Sequence, residues 1–135
     1  VRGEIYMPIS AFNELNATGS AGRTFANCRN AAAGSFRLND ASKTAERKLV
    51  FAPHGLGEVS APIAASWDDA FTILSSWGFC PPGGPQVRVW VHNGTTDEIM
   101  RVFEQIAAER PSLPFEIDGV VHKVILMEMR ERMGE

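Results

Sequence analysis

The sequence predicts an α+β domain built around a largely antiparallel sheet. Segments with strand-like alternation and segments with helix caps are mixed along the chain. They follow no βαβ repeat, which a parallel sheet would require. The chain has 135 residues, of which 44% are hydrophobic and 21% charged. This length and composition predict one globular domain with a core of its own.

The first predicted elements are a strand and two helices. Residues 1–7 alternate as a strand that stops at Pro8, and Pro8 then lies near the first turn of the short helix "PISAFNELNA". After the loop "TGSAGRT", Asn27 is a good N-cap for a helix over roughly 28–37. Its three consecutive alanines favour helix, and Gly34 allows a close approach to the backbone.

A second strand and a third helix follow. "KLVFAPHGLG" (48–57) predicts a strand, and Pro53 turns its second half into an edge or a bend. After the loop "VSAPIAAS", Ser66 caps a helix that Gly78 ends. The apolar stripe of this helix is predicted to contain Trp67, Phe71, Leu74 and the region of Trp77.

The last third of the chain predicts two strands and two helices. "QVRVWVH" (86–92) alternates as a strand, and "GTTDEIMRVFEQIAAERP" reads as a capped helix that stops before Pro111. Its predicted inward residues are Ile99, Phe103, Ile106 and Ala107. "FEIDGVVHKVIL" (115–126) is predicted as the final strand, and "MEMRERMGE" as a short terminal helix.

Composition excludes several classes of protein. No apolar run approaches the roughly 20 residues that span a bilayer, and no signal peptide is visible. Cys28 and Cys80 have no metal-type spacing and make no disulfide framework, so a reducing cytoplasm is the expected location. The three histidines are too dispersed to predict a metal site. The first residue is Val1 rather than Met, which is consistent with a piece cut from a longer chain.

The charge is unevenly distributed. The net charge of -3 argues against a protein that coats nucleic acid. Residues 23–48, however, contain six basic and two acidic side chains. This segment is either a patch that faces phosphates or an ordinary solvated surface.

The segment "FANCRNAAAGSFR" (25–37) has three interpretations. It is an ordinary capped helix, a helix that starts with a reactive cysteine, or part of a phosphate-binding site. The helix start lowers the pKa of a thiol, and His54 is the histidine nearest to Cys28 in sequence. Arg29 and Arg37 lie within roughly 80° of each other on a helix, near the free N–H groups of its start.

Polar side chains interrupt the predicted final strand. They are Glu116, Asp118, His122 and Lys123. Strict alternation places Val121 and Lys123 on one face and Asp118 on the other, so a shared site needs a bulge, for which Gly119 is the natural place. The alternative is an edge strand with exposed polar residues. Likewise, Glu4 in "VRGE" either accepts a ribose hydroxyl or is a solvated strand residue.

Four motifs occur in a specific order: "VRGE", "FANCRNAAAGSFR", "GLG" and "ERPSLPFEIDGVVHK". Together with "WGF" at 77–79, they resemble the adenylation (nucleotidyltransferase) domain of bacterial NAD-dependent DNA ligases over essentially the whole chain. The family carries proline where this chain has Cys28, so Cys28 looks like a substituted structural residue at the first helical position. The resemblance implies that residues 1–135 form part of an ATP-grasp-like nucleotidyltransferase domain, a single domain truncated at both ends relative to the family.

The resemblance implies nucleotide-binding roles for five residues. Glu4 would contact the ribose of the bound adenylate. His54 stands where the family usually carries a tyrosine that stacks on the adenine, and Val121 would press on the other face of the base. Asp118 and Lys123 of the "DGVVxK" motif would be the catalytic residues beside the adenylate and its phosphate.

The resemblance also implies a surface for DNA. Arg29, Arg37 and Arg110 match arginines that would meet DNA phosphates or the nicotinamide nucleotide. The segment "SFRLND" departs from the family, because it lacks the usual glutamine after Arg37.

The implied function is part of an NAD-dependent DNA ligase that binds the adenylate and nicked double-stranded DNA during AMP transfer and nick sealing, in replication and repair. It would use NAD and magnesium and act with the remainder of the ligase chain. The family's nucleophilic lysine lies in a Lys-x-Asp-Gly motif, which these 135 residues lack, so the isolated chain is predicted not to ligate.

Two other functions are compatible with the residues. The chain could be a freestanding, catalytically inactive remnant that binds nucleotide or DNA, or an unrelated cysteine enzyme. A half-cleft with exposed apolar edges would also allow a homodimer.

Overall fold

The computed structural model describes residues 1–79 and 95–134. In that part of the chain it contains six α-helices, a 3₁₀ helix and a two-stranded antiparallel sheet, which confirms the α+β class. In chain order the elements are β1 (Arg2–Tyr6), α1 (Ile9–Thr18), α2 (Cys28–Phe36), α3 (Ala41–Ala45), β2 (Val50–Gly55), α4 (Trp67–Ser76), α5 (Thr96–Glu109), the 3₁₀ helix (Arg110–Ser112) and α6 (Met127–Met133).

The chain divides into two units. We call the first the sheet unit; its described residues are 1–4, 51–79 and 121–134. We call the second the helical unit; its described residues are 5–50 and 95–120. The sheet unit contains α4, α6 and all of β2 except Val50, and the helical unit contains α1, α2, α3 and α5.

Side chains cap the starts of helices α2, α4 and α5. The Asn27 side chain accepts a hydrogen bond from the Asn30 N–H at 2.8 Å, at the start of α2. Ser66 caps α4 through the Asp69 N–H, and Thr95 forms a capping box at the start of α5. Helix α3 was not predicted from the sequence, because its five residues are too short to show a helical period.

The sheet unit packs around α4. Its core consists of Trp67, Ala70 and Leu74, with Phe71 packed against them. The prediction that Trp77 belongs to this stripe is wrong, since its side chain is 58% exposed. Trp77 is the residue that ends α4, and the chain turns away at Gly78, which has a φ of 88°.

The helical unit packs α2 against α1. Its buried cluster consists of Met7, Ala11, Leu15, Ala31 and Ala32. The small alanine side chains let the two helices approach closely. Gly34 meets its predicted role, because a Cβ at this position would lie 2.8 Å from the Phe25 ring.

The inward face of α5 differs from the predicted one. Ile106 is buried and Ile99 is half-buried, as predicted, but Phe103 is 44% exposed and Ala107 is also exposed. Position 106 is buried, and positions 98, 99, 102 and 109 are half-buried. Positions 99, 102, 106 and 109 follow one another in steps of three or four residues and define a narrow stripe, and Phe103 and Ala107 lie beside it.

The predicted strand over 115–126 does not form. Among the described residues, this segment takes part in a single isolated bridge, between Ser66 and Leu126. A strand requires a ladder of backbone hydrogen bonds with a neighbour, and polar side chains with Gly119 in the middle disfavour that ladder. The strand predicted over 86–92 lies outside the described residues.

The tight contact at Gly3 gives a stability prediction. A Cβ at Gly3 would overlap the Phe51 ring and lie 2.5 Å from the Ala52 carbonyl oxygen, so Gly3→Ala must displace backbone. We expect it to lower the free energy of unfolding by about 1–3 kcal/mol, measured by urea denaturation. The control is Gly119→Ala, because a Cβ there meets nothing within 4 Å. It should be neutral or gain less than about 1 kcal/mol. Equal effects of the two changes would contradict the packing role of Gly3.

Candidate functional site

In the sheet unit, the His54 carbonyl and the Trp67 ring both contact the ammonium of Lys123. Its Nζ donates a hydrogen bond to the carbonyl oxygen of His54 at 2.5 Å. The same Nζ lies 5.8 Å from the centroid of the Trp67 ring. A carbonyl dipole and an aromatic face both stabilise an ammonium group, so the structure holds this charge in a defined place.

Glu4, His54 and Val121 present open surfaces in the same unit. Glu4 and His54 are exposed residues of the two paired strands β1 and β2. Pro53 and Gly55 on either side of His54 are buried, so the imidazole projects from an anchored piece of backbone. Val121 is 77% exposed. A carboxylate, a flat ring and an apolar side chain are thus all accessible from solvent.

The helical unit carries the predicted cationic residues. Arg29 lies in the first turn of α2, and its Nη1 is 3.5 Å from Oδ2 of Asp118. Both side chains are more than four-fifths exposed, so this ion pair contributes no more than about 1 kcal/mol. Arg37 ends α2 and Arg110 begins the 3₁₀ helix, and both are exposed.

The structure therefore brings together some of the predicted site residues. Lys123 meets the backbone of His54 in the sheet unit, and Arg29 meets Asp118 in the helical unit. Asp118 and Lys123, which the motif places five residues apart, belong to different units. Sequence reasoning treated Trp67 as a core residue alone and missed its contact with Lys123, because no spacing pattern links positions 67 and 123.

Cys28 has the properties of a structural residue. It is the first residue of α2 and is 5% exposed. Burial raises the pKa of its thiol, and the neighbouring charge of Glu116 and a hydrogen bond to Glu116 raise it further. A nucleophilic cysteine needs the opposite shift, so the environment of Cys28 disfavours the reactive-cysteine interpretation.

Neither a metal-binding cluster nor a membrane-spanning helix occurs in the part of the chain that the structure describes. No group of three or more His, Cys, Asp or Glu side chains is placed to hold a metal ion. No helix there has the length and apolar character needed to cross a membrane.

Comparison with known proteins identifies the family. The description "NAD-dependent DNA ligase adenylation domain" belongs to a family that matches residues 1–135. The chain belongs to this family. The match confirms the resemblance seen in the order of the four motifs, and no part of the chain falls outside it.

Individual relatives show the same similarity. The chain is 41% identical over 136 residues to a DNA ligase of Pseudomonas entomophila (strain L48) and 43% identical to one of Phenylobacterium zucineum (strain HLK1). It is 42% identical over 139 residues to a DNA ligase of Acidithiobacillus ferrooxidans (strain ATCC 53993 / BNL-5-31). Each comparison covers 99% of this chain and 17%, 19% and 20% of the respective relative. The chain thus spans about a fifth of the length of the curated ligases it matches.

The environment of Cys28 predicts a pH dependence of stability. Because the pKa of its thiol is raised in the folded state, its contribution is fully present below the unfolded pKa of about 8.5. That contribution is lost as the pH rises through the folded pKa. We expect the free energy of unfolding of the unmodified chain to fall more steeply between pH 8 and pH 10 than that of Cys28→Ala.

Urea denaturation at several pH values measures this difference, and all other titrating groups cancel in the comparison. Glu116→Gln is the matched control, because it removes the neighbouring charge and keeps the thiol. The fall in its free energy of unfolding between pH 8 and pH 10 should be intermediate between that of the unmodified chain and that of Cys28→Ala. Parallel curves for the unmodified chain and Cys28→Ala would contradict the predicted shift.

Proposed function

We propose that the chain is part of an NAD-dependent DNA ligase, in which it binds the adenylate and the nicked duplex during AMP transfer and nick sealing. The observation that carries this proposal is the family match over residues 1–135. The parent enzyme would transfer AMP from NAD to a lysine and then to the 5′-phosphate at a nick, and would release AMP on sealing. In this proposal it acts in replication and repair in the cytoplasm, with the rest of the ligase chain as partner.

The sheet unit would supply part of the nucleotide cleft. His54 and Val121 would cover the two faces of the adenine, and Glu4 would accept a hydrogen bond from the ribose. Lys123 would pair with the adenylate phosphate and offset the negative charge that develops during transfer. Its contacts with the His54 carbonyl and the Trp67 ring support this role, because a cation fixed before binding loses less conformational entropy.

Asp118 is the other proposed catalytic residue. Its carboxylate pairs with Arg29 in the helical unit, and both groups are exposed. Since such a pair is weak, a nucleotide or a DNA phosphate can displace it at little cost.

We propose that the reaction uses magnesium and that few protein side chains bind the ion. The described residues offer no cluster of three suitable side chains. Magnesium in phosphoryl-transfer sites usually keeps several waters and binds substrate phosphates. The ion would accordingly be held mainly by the phosphates of NAD or DNA and would screen their charge.

The helical unit would face the DNA. Arg29, Arg37 and Arg110 are exposed cations that could each meet a phosphate. A guanidinium group matches a phosphate through two parallel hydrogen bonds, which suits this role better than a lysine would. Homodimer formation stays a prediction.

The first functional prediction concerns nick sealing. The isolated chain should not seal a nicked duplex with NAD and magnesium, because it lacks the Lys-x-Asp-Gly motif. Residues 1–135 placed in the corresponding position of the Pseudomonas entomophila ligase should support sealing, because that protein is 41% identical over this stretch. A gel assay for the joined strand measures both.

Variants of the same chimera identify the residues responsible. Lys123→Met should lower sealing by at least about 100-fold, the order expected for a group that stabilises transition-state charge. Arg101→Gln, at an exposed position of α5 without a proposed role, should leave sealing unchanged. A folded chimera that does not seal, or a Lys123→Met chimera that does, would refute the assignment.

The second functional prediction concerns DNA binding. If Arg29 and Arg37 meet phosphates, the affinity of the chain for nicked duplex should fall as salt rises. Replacing either arginine by glutamine should reduce the slope of log K against log salt by about 0.9. Fluorescence anisotropy over a salt series measures the slope. Arg101→Gln is the matched control, and a change in slope as large as that of the two test variants would show that the effect is not local.

A further inference from the structure

We propose that Trp67 is a positioning residue for Lys123 in the adenylate site. This inference rests on the proposed function for the role of Lys123. Trp67 was expected to be a core residue, and it is one, with 8% of its surface exposed. Its ring also forms a cation–π contact with the Lys123 ammonium.

The contact is fixed from both sides. Trp67 is the first residue of α4, and its backbone N–H donates a hydrogen bond to the carbonyl oxygen of Ile125 at 2.8 Å. The Met127 N–H donates in turn to the Ala65 carbonyl at 3.1 Å. These two bonds attach the segment just after Lys123 to the start of α4. These backbone bonds place the Trp67 ring, and the Lys123 ammonium lies over it.

The ring is itself held in one orientation. Its centroid lies 6.5 Å from that of Phe71, one helical turn along α4, with the two planes inclined by 56°. The guanidinium of Arg130 in α6 lies 5.8 Å from the same indole centroid. Core packing needs apolar contacts and no cation, so the two cations over this buried ring indicate a role beyond packing.

The proposed consequence concerns the phosphate of the ligand. The His54 carbonyl and the Trp67 ring together leave the ammonium with a narrow choice of positions. Without the ring, Lys123 loses one of the contacts that position its ammonium and samples more rotamers. Part of the affinity for a phosphate would then be lost, while the affinity for the base and the ribose would stay.

Binding of AMP and of adenosine by the full 135-residue chain separates these effects. The dissociation constant for adenosine divided by that for AMP reports the contribution of the phosphate to affinity. We expect Trp67→Leu to reduce this ratio by about 3- to 30-fold, the range that corresponds to a cation–π contact. Trp67→Phe keeps an aromatic face and should retain most of the ratio. Leu74→Val weakens the same core without touching Lys123, so it should lower thermal stability and leave the ratio unchanged. A folded Trp67→Leu variant with an unchanged ratio would overturn the proposal.

A second measurement does not depend on ligand binding. The chain has three lysines, Lys43, Lys48 and Lys123, so their side-chain methylene signals can be separated by NMR. An aromatic ring shifts the signals of groups above its face upfield. Those of Lys123 should lie upfield of the other two and return toward them in Trp67→Leu, but not in Leu74→Val. An unshifted Lys123 in the unmodified chain would overturn the positioning role. If the shift is present but AMP does not bind, the proposed nucleotide role of this chain fails and the ring contact itself stands.

Discussion

The segment from Pro114 to Met127 forms no strand, and each of its ends is anchored by contacts within its own unit. At its start, the Ile9 N–H donates to the Pro114 carbonyl at 2.9 Å, and the Phe115 ring meets the edge of Tyr6. At its end, backbone hydrogen bonds attach Ile125 and Met127 to the start of α4. Asp118 follows the first anchor in the helical unit, and Lys123 precedes the second in the sheet unit. The placement of each proposed catalytic residue therefore depends on the anchor of its own unit.

The helical unit uses the same principle at the start of α2. Asn27 satisfies a free N–H of the helix, and the alanines that follow allow α2 to pack closely on α1. Cys28 fills the inward position of the first turn, next to Glu116 of the anchored segment. Arg29 follows on the exposed side of that turn and meets Asp118. At this one helix start, Asn27 caps the backbone, Cys28 is buried and Arg29 exposes a positive charge.

Much of the fold could be predicted because caps and helical periods are local signals. Asn27 and Ser66 each mark a helix start in the sequence, and their side chains form the caps in the structure. The exposure of Trp77 and Phe103 could not be predicted in this way. Apolar residues near the end or the border of a stripe are buried only if another element covers them.

The prediction of a final strand over 115–126 was wrong for a related physical reason. Its apolar residues suggested a buried strand, but a strand exists only where a neighbouring backbone accepts its hydrogen bonds. Nothing within the segment reveals whether such a neighbour is present. The contact between Trp67 and Lys123 was missed for the same reason, because it joins positions 56 residues apart through the fold.

Because no strand forms here, strand alternation does not force residues 118 and 123 onto opposite faces. In a regular strand, residues 118 and 123 would point to opposite faces, and a bulge at Gly119 would be needed to bring both to one site. The structure uses no ladder there, so alternation no longer dictates the direction of either side chain. Asp118 forms a weak, exposed ion pair with Arg29 in the helical unit, and Lys123 contacts His54 and Trp67 in the sheet unit. Each charge is therefore set by its own surroundings, which allows a polar motif in a segment whose hydropathy favours a buried strand.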